Sequence, residues 1–369
     1  MKRGAIDLFC GCGGISAGLR SAGFEVVAGV DIEKKYIQTF AHNFPKAESV
    51  TDDIRGLSAR DFLRKIGCSR EEIAIVAGGP PCQGFSKNVP RKHRYLEDPR
   101  NQLITQFLEY CGFIAPPLVL MENVAEMKNG FDQAYTEEIQ ERLLSAGYSV
   151  KYVILNAASY GVPQRRRRAF FLGVRGSHQI PIPVETHSAS PRRIDDLFPT
   201  VPPVTVWDAI GDLPSLHHGE GDELTRYATE PQSDYQKLIR RELRQVKNHV
   251  ARKLQPTQYQ RLAYLKPGQG NKDLPENLRS KGGYSGAYGR LTKDMIAPTI
   301  TRWVFHPGSG RWGHPVDIRT ITIRETARIQ GFYDDYEFIG SYNDQAGQLG
   351  NAVPPLLAEI VANHLKKLI

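Results

Sequence analysis

Between residues 4 and 174, short apolar runs alternate with amphipathic stretches, and this rhythm restricts the possible folds more than any other feature of the 369-residue chain. AIDLF (5–9), EVVAGV (25–30), IAIVAG (73–78), PLVLMEN (117–123), YSVKYVIL (148–155) and RAFFLGV (168–174) read as strands. Between them ISAGLRSAG, KKYIQTFAHNF, LSARDFLRKIG, NQLITQFLEYCGFI and DQAYTEEIQERLLSAG read as helices. Strand and helix in alternation predict an α/β fold: an open, doubly wound, Rossmann-like sheet with ligands at the carboxyl ends of its strands. After about residue 176 the chain turns rich in Pro and Ser (SHQIPIPVETHSASPRR, FPTVPPVTV), as a linker does, and then becomes basic with weak periodicity. PPLLAEIVANHLKKLI closes it as an amphipathic helix, with prolines at the start and lysines in the last turn.

Charge is spread unevenly. Residues 240–311 carry 15 Lys or Arg against four acids (Glu242, Asp273, Glu276, Asp294), while the whole chain carries a net +8. Such a lobe suits a polyanion, because neutralising phosphates releases counterions, although a merely solvated basic surface has the same composition. Interleaved Tyr259, Tyr264, Tyr284, Tyr288 and Trp303, with GGYSGAYG at 282–289, favour nucleic acid. No apolar run reaches the length of a membrane span and the N-terminus lacks an export signal, so a cytoplasmic protein without membrane contact is expected. Five cysteines, an odd number (Cys10, Cys12, Cys68, Cys82, Cys111), argue for reduced thiols. Cys10 and Cys12 lack a second pair at zinc spacing, so no metal is expected.

Three segments carry chemistry. DLFCGCGGISAGL (7–19) is a glycine turn opening a helix, in which Gly11, Gly13 and Gly14 allow close approach of a ligand. Asp31 ends the next strand at the distance where a carboxylate meets ribose hydroxyls in nucleotide-binding sheets. Ser16 stands where a third dinucleotide glycine would be, so an adenosine ligand without a pyrophosphate fits better than NAD. Cys82 lies in GGPPCQGFS after strand 73–78, a setting too poor in apolar neighbours to bury a thiol as packing, and it reads as a nucleophile. Glu122 ends the neighbouring strand, and QRRRR (164–168) precedes the last one; strand alternation would put Arg166 and Arg168 on one face.

In order, DLFCGCGGISAGL, VDIEKKYIQTFAHNFP, TDDI, GGPPCQGFS, MENV, QRRRRAFFLG, RTITIRETARIQGF and QLGNAVPP resemble the motifs of the DNA cytosine-5 methyltransferases. The resemblance implies the S-adenosylmethionine-dependent methyltransferase fold with a smaller target-recognition domain. It implies a catalytic domain over 1–185 plus 345–369, target recognition over 186–322 and a hinge over 323–344. It also implies transfer of a methyl group from S-adenosylmethionine to carbon 5 of a flipped-out cytosine in double-stranded DNA, through a Cys82 adduct at carbon 6. Glu122 would hold the ring by N3 and the exocyclic amine, Asn123 would support the turn, and Arg168 would contact the base oxygen with Arg166 beside it. Cofactor positions are Phe9, Gly11, Gly13, Gly14, Asp31, Ile32, Asp53, Ile54, Pro81, Asn351 and Val353. For DNA, Ser86 and Arg100 match recurrent loop positions, Lys87 or Asn88 would fill the gap left by the base, and Arg290 and Arg302 of the basic lobe would add contacts. Phe332-Tyr333 departs from the family's usual Phe-Pro, away from the chemistry.

A chain that opens almost on its first motif suggests a monomeric modification enzyme acting on nucleoid DNA, with a cognate restriction endonuclease as a possible partner. An RNA cytosine methyltransferase of the same fold, a catalytically dead DNA-binding protein and a nicotinamide oxidoreductase are the alternatives. Retention of Cys82 with Glu122 speaks against the second, and the PPCQ cysteine against the third.

Overall fold

The computed structural model describes residues 3–81, 102–125, 134–188, 201–280 and 286–369. The chain forms two compact units: Met1–Ala157, Arg167–Glu185 and Val353–Ile369 make the first, Ala158–Arg166 and Thr186–Ala352 the second.

In the first unit, β1 (Gly4–Leu8), α1 (Gly14–Ser21), β2 (Glu25–Asp31), α2 (Lys34–Asn43), β3 (Glu48–Thr51), α3 (Ala59–Lys65), β4 (Ile73–Gly78), α4 (Gln102–Ile114), β5 (Leu118–Val124), α5 (Ala134–Ser145), β6 (Tyr148–Asn156) and β7 (Arg167–Arg175) follow in sequence. They build a seven-stranded sheet in the order β3-β2-β1-β4-β5-β7-β6. All pairs are parallel except those of β7, which runs antiparallel to β5 and β6. The order reverses between β1 and β4, so the loops after these strands flank the switch point where such sheets hold ligands. β1 and β4 are buried along their whole length, which is why β4 is a continuous apolar run and β1 departs from one only at the buried Asp7. On one face Phe62, Phe107, Tyr110 and Ile139 pack against Ile6, Val76, Val119 and Phe171 of the strands.

The second unit is built mostly from turns. Its regular pieces are α6 (Val206–Ile210), β8 (Leu224–Arg226), α7 (Asp234–Arg240), β9 (Gln245–Lys247), α8 (Pro256–Tyr264), α9 (Ile323–Ile329) and α10 (Tyr342–Asn351), with β8 and β9 paired antiparallel. Every residue of α9 is buried, its arginines included. Arg328 pairs with Asp212 and, at 2.6 Å, with Asp334, while Arg319 grips Glu325 through two 2.8 Å bonds. Residues 323–344, expected as a hinge, lie within this unit, and the chain returns to the first unit at Val353, later than the expected 345, because α10 packs on α9.

The last helix, α11 (Pro355–Lys366), belongs to the first unit and packs along α1. Gly18 makes the approach possible: a Cβ there would fall 2.6 Å from the Ala358 Cβ, the Glu359 nitrogen and the Pro355 oxygen. Backbone on one side cannot yield as a side-chain tip can. Gly18→Ala is therefore expected to lower stability by roughly 1–3 kcal/mol despite alanine's better helix propensity. An unchanged chemical-denaturation midpoint would contradict the contact.

Candidate active site

The turn after β1 is wound tightly. Phe9 (φ 61°), Gly11 (φ 55°) and Gly13 (φ 93°) all adopt left-handed backbone, which costs a phenylalanine energy and is kept where surrounding structure over-determines it. A Cβ on Gly11 would meet nothing within 4 Å, so this side of the turn is open space. The Asp31 carboxylate spans the gap from β2: Oδ2 accepts from the Gly11 nitrogen at 2.8 Å and Oδ1 from the Glu33 nitrogen at 2.9 Å. Burial raises its pKa, partly offset by those two backbone donors. The next residue, Ile32, is 61% exposed, an apolar face beside a carboxylate with lone pairs to spare. An adenosine-bearing donor fits both: hydroxyls of a ribose to Asp31, a flat base over Ile32.

The remaining positions proposed for the cofactor differ in how available they are. Gly14 begins α1. The Asp53 carboxylate is clasped by the Arg55 guanidinium at 2.5–3.0 Å, and this hydrogen bonding holds its pKa below the ordinary carboxylate range. Ile54 and Val353 are buried. Pro81 and Asn351 are exposed, and Asn351 ends α10 in the second unit while Val353 starts the return to the first.

One functional group of the turn carried no expectation. Asp7 is fully buried in β1; its Oδ2 accepts from the Ser16 hydroxyl at 2.5 Å and the Ser16 nitrogen at 3.1 Å, and its Oδ1 has no hydrogen-bond partner among the described residues. Burial pushes its pKa up from 3.8 to about 7, against the lowering effect of Ser16. Because the folded value is the higher one, the group's contribution to stability is complete below pH 4, declines as pH rises toward 7, and is lost above it. Relative to Asp7→Asn, wild-type stability should thus fall by roughly 4 kcal/mol over that window and then level off. Parallel pH profiles in urea unfolding would count against the buried carboxyl. A lone acid inside the apolar run AIDLF was the signal that could have revealed it. Cys10 and Cys12 are buried nearby, and burial raises both thiols, Cys12 to about 12, so neither offers a thiolate.

Across the switch point, Glu122 stands near the end of β5. In the antiparallel pairing of β5 with β7, Glu122 opposes Phe170 and Val124 opposes Arg168, so Glu122 and Arg168 are diagonal neighbours on one face. Arg168 Nε lies 3.0 Å from Glu122 Oε1, with side-chain exposures of 16% and 11%. The arginine also donates from Nη1 to the Arg167 carbonyl at 2.7 Å. Gly79 faces the other carboxylate oxygen, and a Cβ there would sit 3.2 Å from Glu122 Oε2. Asn123 turns back to hold the loop after β4: its Nδ2 donates to the Pro80 carbonyl at 3.1 Å, and its Oδ1 accepts from the Val124 nitrogen at 2.8 Å. A carboxylate and a guanidinium held in register, beside a strand whose last residue stands four positions before Cys82 in the sequence, can grip a planar heterocycle with both acceptor and donor edges. Cys82, Ser86, Lys87, Asn88 and Arg100 lie outside the described residues.

Two arginines expected to meet substrate are used otherwise. Arg166 does not share a strand face with Arg168: it precedes β7, belongs to the second unit, and donates to the carbonyls of Ile300 (3.0 Å), Gly350 (3.1 Å) and Ala352 (3.0 Å). Arg290 is 6% exposed and spends its guanidinium on the carbonyls of His314, Leu265, Val316 and Asp317, leaving little for a phosphate. Arg302, in contrast, is exposed.

A family model described as C-5 cytosine-specific DNA methylase matches residues 4–367. Type II methyltransferase M1.HphI of Haemophilus parahaemolyticus is 34% identical over 366 residues, which cover 98% of this chain and 86% of that protein. Type II methyltransferase M.DdeI of Desulfomicrobium norvegicum is 34% identical over 377 residues, covering 98% and 88%. Among solved structures, a prophage-encoded E. coli protein assigned as a DNA modification methyltransferase is 27% identical, covers 99% of both chains and superposes with a TM-score of 0.77.

Proposed function

The chain belongs to the C-5 cytosine-specific DNA methylase family, and from that premise we propose that it takes a methyl group from S-adenosylmethionine to carbon 5 of cytosine within a specific duplex sequence, through a Cys82 bond to carbon 6. The observation that carries the residue roles is the Glu122–Arg168 pair, 3.0 Å apart on adjacent strands. Carbon 5 of cytosine is too weak a nucleophile to attack a methyl group unaided. Adding the Cys82 sulfur to carbon 6 makes an enamine of the ring, provided that N3 is held or protonated as electrons arrive; after carbon 5 has taken the methyl group its proton leaves and the sulfur is expelled, which restores the ring. Glu122 holds N3 from one edge and Arg168 steadies the base oxygen, while Asn123 holds the Pro80 carbonyl in the loop after β4. The donor supplies an electrophilic methyl group, with Asp31 on its ribose and Ile32, the glycine turn and Phe9 around its adenine. An edge-read base cannot be reached inside a helix, so the nucleotide swings out at a cost of a few kcal/mol.

In this reading the second unit is the target-recognition domain, and the enzyme works as a monomer in the cytoplasm on nucleoid DNA, alongside a cognate restriction endonuclease. Two relatives named Type II methyltransferases support that setting. Among the described residues no helix is long and apolar enough to cross a membrane. Bisulfite sequencing of duplex DNA incubated with the purified chain and S-adenosylmethionine tests the proposal: protected cytosines at a recurring sequence are expected, and uniform conversion would refute it. Affinity for non-target duplex should fall about 10- to 1,000-fold between 50 and 200 mM salt. That decline is gentler than a count of 15 basic residues would suggest, because Arg240 and Arg290 are buried, Arg241 and Lys247 pair with Asp335 and Glu337, and Arg261, Arg279 and Arg311 donate to backbone carbonyls. A response independent of salt, in fluorescence anisotropy, would argue for a solvated surface.

A further inference from the structure

Resting on the DNA-methylating reading, we propose that Trp303 is a sequence-reading residue of this enzyme, stacking its indole on a nucleobase of the bound duplex. Trp303 is 54% exposed, and one exposed aromatic is unremarkable in itself. Its mounting is what makes it informative. The turn that carries it is closed by Val304 N to Thr301 O (3.1 Å) and His306 N to Trp303 O (2.9 Å), and the Ser309 hydroxyl adds a 2.6 Å bond to the Trp303 carbonyl. Immediately before the turn, Ile300 is held at both ends: its nitrogen donates to Gln164 Oε1 at 2.8 Å, and its carbonyl accepts from Arg166. Thr299 donates to the Arg165 carbonyl at 2.6 Å, and a Cβ on Gly350 would lie 2.2 Å from the Arg302 nitrogen. The oxygens of Gln164 and Arg165 and the buried Arg166 guanidinium thus lock a turn whose tip is left in water.

Charge around the tip selects the partner. The Arg302 guanidinium lies 5.4 Å from the Trp303 ring, and the ring leans on Phe305 at 5.8 Å. Phe305 is covered in turn by Arg252 at 4.6 Å, which hydrogen-bonds the neutral Asn343 side chain at 3.0 Å. Among the described residues Arg302 makes no ion pair. An indole beside one guanidinium, with a second on the far side of Phe305, fits a π-face beside phosphates, with the cations on the backbone and the ring on a base. An apolar protein partner would have to cover both charges. A rigid mount adds discrimination, because a ring that cannot retreat penalises base steps that stack poorly or resist opening.

The test compares the wild type with Trp303→Ala and Trp303→Phe on a pool of randomised duplexes read by bisulfite sequencing. The expected result is that the alanine variant methylates the preferred sequence about 10- to 100-fold more slowly and loses discrimination at one or two positions, while the phenylalanine variant keeps most of it. An alanine variant with the wild-type site profile, whether uniformly slowed or not, overturns the inference while leaving the function intact. A wild type that marks no duplex cytosine overturns the underlying reading, and this one with it. Should the alanine variant fail to fold, the emission of the wild type minus that of Trp303→Phe decides: quenching of this difference on adding the preferred duplex supports stacking, and its absence contradicts it.

Discussion

Cys82→Ser is expected to lower single-turnover methyl transfer by at least about four orders of magnitude, the scale on which loss of a covalent nucleophile is felt. Serine preserves the shape of the side chain within GGPPCQGFS but offers a hydroxyl with far less of its nucleophilic anion at neutral pH than a thiol has. Binding should survive the change, so donor affinity and duplex affinity would stay close to wild type while turnover vanishes. A duplex with fluorine on carbon 5 of the target cytosine sharpens the experiment. The wild type should be captured on it as a denaturation-resistant complex, because fluorine cannot leave as the proton does and the sulfur is not expelled. The serine variant should release it. Methylation by Cys82→Ser at even a hundredth of the normal rate would end the covalent account.

Glu122→Gln comes next, with a loss of about two to four orders of magnitude, the usual contribution of a positioned acid. Glutamine keeps an Oε1 acceptor for Arg168 and the same volume beside Gly79, so the β5–β7 pairing should persist and melting should move little. What disappears is the carboxyl group that holds or protonates N3. The loss is expected in kcat with KM for DNA changed far less, since ground-state contacts remain. A variant that loses affinity and stability together would reassign Glu122 to holding Arg168 in place.

The first unit was largely legible in the sequence because both of its signals are local. A strand buried on two faces is mostly apolar, as in IAIVAG, and left-handed turn backbone favours glycine, as at Gly11 and Gly13. β3 escaped notice for the converse reason: ESVT is four residues at the sheet edge, with a single buried side chain, and leaves no periodicity to read. The second unit resisted further. Its interior is held by arginines donating to carbonyls and carboxylates, so the residue type that usually marks a surface marks a core. Arg166 and Arg290 were misplaced on that account, since a charge count does not say which guanidinium groups face water. Asp7 is a related case: it sits in a run read as plain core, and only the burial of its carboxyl exposes its unusual acidity.

The pairing of α1 with α11 has a consequence for how the protein comes into being. The helix that follows the glycine turn is synthesised more than 300 residues before the helix that covers it, so the first unit cannot be completed during translation until α11 has emerged. In the meantime the second lobe has all its residues and can fold first. Deleting α11 should thus disable the glycine turn far upstream in the sequence, and nascent chains should depend on chaperones until that helix is released.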